Sequence, residues 1–180
     1  MQSTGVYWMP VYEILEQAGL EVYLVNARHT KNLPGRKSDV EECQWLLKLH
    51  TFGLLNNSFQ PTDAIRVART LWRHRSNLVG EASSAIQRMQ KALTEMNVQL
   101  HNVLSDISGV SGMAMIQAIL KGERDPWALA ALACPGVKAS QADIAKSLHG
   151  NWRKELLVVL RHEVELYQMY QDKIDRKSVV

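Results

Sequence analysis

Thirteen positions between residues 65 and 107 step by three and four without a break, and all but one are apolar. They carry Ile65, Ala68, Trp72, Arg75, Val79, Ala82, Ile86, Met89, Leu93, Met96, Leu100, Val103 and Ile107. A repeat of 3.5 residues sustained this long predicts a coiled coil, because only that period keeps one seam facing a partner helix. The predicted helix runs from about Asp63 to Ile107. At 1.5 Å rise per residue it spans roughly 65 Å. A compact domain of 180 residues has no core that long. The stretch therefore reads as a strut joining two smaller units, with a second helix packed along it. A plain bundle helix is the alternative.

Composition narrows the class. The apolar fraction of 46% permits a packed core. A net charge of +3 says little by itself. Its clustering says more: Arg28, Lys31, Arg36 and Lys37 form one group, and Arg66, Arg69, Arg73 and Arg75 another. Two cysteines, Cys43 and Cys134, exclude a disulfide framework and point to a reducing, cytoplasmic setting. No apolar run approaches the ~18 residues of a membrane span. The start, MQSTGVYW, lacks the basic and apolar regions of a signal peptide.

Along the chain, Tyr7–Ala18 reads as an amphipathic helix stopped by Gly19. Glu21–Asn26, EVYLVN, reads as a strand apolar on both faces, as in a parallel sheet covered on both sides. It is the one convincing strand, and a lone strand has no ladder partner. Arg28–Lys37 is a basic connection with a turn at Pro34-Gly35. Ser38 with Glu41 fits a capping box opening a helix to about Thr51. A loop follows, and Thr62 or Asp63 caps the strut. Ser108–Gly112 reads as a hinge. Helices are then predicted at Ala114–Lys121 and at Trp127–Ala133, the latter after the Asp125-Pro126 cap. A short one starts near Ser140 and stops at Gly150, and the last covers roughly Trp152–Arg176.

Few residues carry chemistry. Asp39 and Glu42 lie three apart on one helix, so their carboxylates share a face. Such a pair suits a hard divalent cation. Acids in a first helical turn are also favoured by the helix dipole alone, so both readings stand. The six histidines show no metal-ligand spacing. No serine sits in a nucleophile elbow, and no phosphate-binding loop is present. Arg66, Arg69 and Arg73 share one helix face that suits a phosphate backbone. A solvated basic face is the alternative. Trp45 and Trp72 read as core residues more readily than as base-stacking ones.

Four stretches together carry a family likeness: MQSTGVYW, EVYLVNARHTKNLPGRKSDVEECQWL, IQRMQKALTEMNVQL and LSDISGVSGMAMIQAIL. The chain resembles the DEDD insertion-sequence transposases, the bridge-RNA-guided recombinases of insertion-sequence family one-ten. That resemblance implies an RNase H-like (RuvC-like) domain with four acidic residues binding Mg²⁺, then a coiled coil, then a domain with a serine nucleophile. It implies DNA and a structured guide RNA as partners. The third acid matches Asp39, and the fourth, an aspartate in the family, matches Glu42. Gln2 stands where the family has a glutamate, and the first aspartate lies upstream of everything in this chain. The serine domain is matched only at its opening segment.

The expected fold is mainly α. Residues 1–60 form a partial RNase H-like α/β domain, 61–108 a coiled-coil helix, and 109–180 a helical region whose last helix packs on the coiled coil. The resemblance places Met1–Gly5 at the end of a fourth strand, beside Glu21–Asn26 as the fifth. The expected function is that of a DNA recombinase in a truncated, catalytically incomplete form. Asp39 and Glu42 are its remaining catalytic and metal-binding acids. Arg36, Lys37, Arg66, Arg69 and Arg73 are its nucleic-acid contacts. The unpaired strand and open seam predict self-association or pairing with full-length transposase. The rivals are a non-catalytic regulatory fragment acting by that pairing, and a helical scaffold with no nucleic-acid role.

Overall fold

Helix dominates the local structure, as the three-four stepping of apolar positions requires. The computed structural model describes residues 1–3, 5–30 and 38–175, the side chain of His29 excepted. The chain divides into two units, Met1–Ile65 and Arg66–Val180.

In the first unit, α1 (Trp8–Gln17) follows the short extended segment at residues 1–3. Its end closes through the Gly19 N–H on Glu16 O and the Leu20 N–H on Leu15 O, with Gly19 at φ 75°. This double closure needs a left-handed residue, which glycine supplies without strain. The chain then returns extended. The Val25 N–H donates to Met1 O at 2.9 Å, and the Ser3 N–H donates to Val25 O at 3.0 Å. The result is one parallel bridge between Gln2 and Val25. The strand expected at Glu21–Asn26 is thus reduced to a bridge, and no strand forms among the described residues. On the other edge, the Leu24 N–H donates to Asn57 Oδ1, and Leu24 O accepts from the Ser58 N–H. With both edges satisfied, Leu24 and Val25 can each be 2% exposed.

A single turn, α2 (Ala27–Thr30), follows where the sequence predicts only connection. α3 (Asp39–Thr51) opens on the expected capping box. Ser38 Oγ accepts from the Glu41 N–H, and the Ser38 N–H donates to Glu41 Oε2. The buried set of this unit is small: Tyr12, Leu24, Val25, Thr30 and Pro61. Val6, Tyr7, Ile14, Val40, Leu47, Phe52 and Phe59 remain exposed.

α4 (Asp63–Glu95) leads into the second unit and is the longest helix described. Its 33 residues span about 50 Å. The helix predicted as far as Ile107 stops twelve residues earlier. Asn97 takes φ 62°. Its N–H donates to Thr94 O at 2.9 Å, and the Val98 N–H donates to Leu93 O at 2.8 Å. That pair of bonds is the Schellman closure, built on asparagine, the non-glycine residue that best tolerates the left-handed region. The Asn97 side chain also donates to His149 O, and the Asn151 N–H donates to Met96 O. The break is therefore stitched to the connection after α7. Met96, Leu100 and Ile107 are still buried, as the stripe predicts, but on a turning chain that includes a 3-10 turn at Leu100–Asn102.

α5 (Val110–Lys121) starts four residues before the predicted helix, with Gly109 at its N-cap. α6 (Pro126–Ala130) is capped by Asp125, and α7 (Gln141–Ser147) by Ser140. α8 (Lys154–Asp175) closes the unit. Arg88 Nε meets Glu163 Oε2 at 2.8 Å, while Asn151 meets Met96, so α8 runs antiparallel to the second half of α4. Met89, Leu93, Met96, Met115, Ile116, Ile119, Leu129, Ile144, Leu148 and Leu160 fill the core between these helices.

Candidate functional site

The acidic pair sits in the first turn of α3. Asp39 is exposed and Glu42 half-buried. Glu41, between them, is held by the capping box. The unpaired N–H groups at a helix start attract carboxylates, which accounts for three acids in one turn without a bound cation. Gln2 lies on the extended segment, and its Nε2 donates to Thr30 Oγ1 at 2.7 Å. Among the described residues no group of three or more histidines, cysteines or acids is arranged to hold a metal. The described residues therefore do not fit a four-acid Mg²⁺ centre.

Arg36 and Lys37 fall outside the described residues. Arg66, Arg69 and Arg73 lie on α4. At about 100° per residue they fall within about 60° of arc. Arg69 and Arg73 are exposed, and Arg66 is half-buried. Ala82, Ala85 and Met89, which enter the core, lie on the opposite side of the helix. The arginine face therefore looks away from the packed side of α4. Arg75, expected in the seam, is exposed.

Trp72 is 67% exposed, which overturns its reading as a core residue, while Trp45 is half-buried. Ile65, Trp72 and Val79 carry the apolar stripe into the first half of α4, uncovered by other described residues. Val67 and Leu71 are also exposed, and they continue the line of Ala82, Ala85 and Met89. The contact between Gln2 and Thr30 has no signature in the sequence, because a four-residue helix has no periodicity to read.

The family model DEDD_Tnp_IS110, described as a transposase, matches residues 1–98, just over half of the chain. The chain belongs to this transposase family. The match takes in the bridge at Gln2, the acidic turn of α3 and the whole arginine face of α4. No curated protein and no solved structure matches the chain. No helix among the described residues is long and apolar enough to cross a membrane.

Proposed function

We propose that this member of the transposase family binds DNA through the Arg66–Arg69–Arg73 face of α4 and cuts no strand by itself. One observation carries the binding half. Three arginines occupy one arc of a long helix, on the side away from the core. A row of guanidinium groups on a rigid helix spaces positive charge along a phosphate backbone, and each contact releases condensed counterions. The membership of the chain in a transposase family makes DNA the natural partner. A structured guide RNA would be met by the same chemistry. Arg66→Glu/Arg69→Glu/Arg73→Glu is expected to weaken duplex binding by about tenfold or more at moderate salt. Unchanged affinity overturns the assignment.

The non-catalytic half is supported by Gln2 in place of a glutamate and by the acidic turn of α3, which lacks a third ligand among the described residues. The parallel bridge from residues 1–3 across α1 to Val25 is what a remnant of an RNase H-like β-α-β unit would retain. The chain is expected to nick no DNA in Mg²⁺. Cleavage that disappears on Asp39→Asn contradicts this reading.

A second reading rests on the apolar strip of α4. Val67 and Leu71 prolong the line that α8 helps to cover further along, and they lie uncovered. Such a seam suits self-association, or pairing with the same seam of a full-length transposase. A regulatory role by such pairing is compatible with binding of DNA, because the arginines lie on the opposite face.

A further inference from the structure

Thr30 is 3% exposed, and its hydroxyl oxygen meets two groups. Oγ1 donates to Ala27 O at 3.0 Å, the back-bond of a helical threonine. Gln2 Nε2 lies 2.7 Å from the same oxygen. A hydroxyl has one hydrogen, and here it goes to Ala27. Toward Gln2, Oγ1 can only accept. The side chain at position 2 must therefore present an N–H, as an amide does and an ionised carboxylate cannot.

We infer that Gln2 is a structural tether, joining the N-terminal extended segment to α2, and does not serve as a metal ligand. The tether sits beside the bridge that orders this unit. Ser3 and Met1 hold Val25 by backbone bonds, and Gln2, between them, reaches Thr30 five residues further on. An ionised glutamate at position 2 would aim its oxygen at a lone pair of Oγ1. Relief requires the hydroxyl to swing away from Ala27 O, in a place almost closed to water, and that bond is then lost. Position 2, where the family resemblance places an acid of the metal centre, is thus fitted to the opposite hydrogen-bonding sense. Restoring the acid does not restore a cation site. The comparison with a metal ligand rests on the proposed reading of this position, whereas the tether itself stands or falls by stability alone.

The test uses the full chain with Gln2→Glu, Thr30→Val and Thr30→Ser, followed by thermal unfolding and by titration with Mn²⁺ read by electron paramagnetic resonance. Gln2→Glu is expected to lower the unfolding midpoint by about 5 °C, as a lost partly buried hydrogen bond does in a small unit. Thr30→Val, which removes the acceptor, lowers it similarly. Thr30→Ser, which keeps both bonds, loses less than half as much. Neither the wild-type chain nor Gln2→Glu binds Mn²⁺ at micromolar concentration. An unchanged midpoint for Gln2→Glu overturns the tether. Stoichiometric Mn²⁺ binding by Gln2→Glu that Asp39→Asn abolishes overturns the exclusion of a metal site. Where Gln2→Glu does not fold, equal midpoints for Thr30→Val and Thr30→Ser overturn the tether instead.

Discussion

At the scale of single residues, Gly112 leaves no room for a side chain. A Cβ built there lies 2.2 Å from Ile107 O, a backbone atom that no side-chain rotation can move aside. Gly112→Ala is expected to cost about 3 kcal/mol or more, at the severe end for overpacking. Chemical denaturation checks this, and a loss below about 1 kcal/mol would mean that the turn before α5 yields easily. The sequence marks this stretch only as a glycine-rich hinge. It does not reveal that the glycine serves a close approach of two backbones rather than motion. The capping box at Ser38 and Glu41 was legible, because its partners are three residues apart and depend on nothing distant. The bond between Gln2 and Thr30 was not, because its partners are brought together only by the return of the chain after α1.

Among the elements, α4 shows what a periodic pattern can and cannot tell. The stripe from Ala82 onward does identify core residues, and Met96, Leu100 and Ile107 are buried as it requires. It does not reveal that the backbone leaves the helix at Asn97, because apolar spacing survives a turn that brings the same residues back to the same core. Asparagine is a stop signal when a partner waits for its side chain, here His149 O. Asn97→Ala is expected to destabilise the second unit by about 1–2 kcal/mol, because alanine lacks the side-chain amide that eases asparagine into the left-handed region and that bonds His149 O. Unfolding by denaturant measures it. A neutral result would mean that the helix can run on past Glu95. The salt bridge between Arg88 and Glu163 contributes far less than the apolar contacts beneath it. The Arg88 side chain is 44% exposed and that of Glu163 13%, and an ion pair with one partner open to solvent contributes about 1 kcal/mol. Hydrogen bonding to Glu163 raises the guanidinium pKa further above its ordinary value, which leaves it charged throughout the accessible range.

At the scale of the molecule, the two units differ in how well they bury their apolar residues. The second encloses a continuous core of long aliphatic and methionine side chains. The first leaves Tyr7, Ile14, Val40, Leu47, Phe52 and Phe59 in water. The bridge was expected from the family resemblance alone and α2 not at all, whereas α1 and α3 were readable from pattern. The lack of a full strand was not, since a strand depends on partners that local sequence does not specify. Exposed apolar surface of this kind marks interaction sites or aggregation. The uncovered strip on α4 gives it a sharper form. Val67→Glu/Leu71→Glu is expected to shift a concentration-dependent assembly toward the monomer in analytical ultracentrifugation. A wild-type chain that sediments as a monomer at all concentrations contradicts pairing through this seam.

DNA binding by the arginine face is most directly tested by measuring duplex affinity of the full chain across a salt series. Three phosphate contacts predict that the logarithm of the binding constant falls with that of salt concentration at a slope of about −2.7. Charge reversal at Arg66, Arg69 and Arg73 should then flatten the line. A wild-type affinity that is absent, or insensitive to salt, would contradict a role for α4 on DNA and leave the helix as a scaffold.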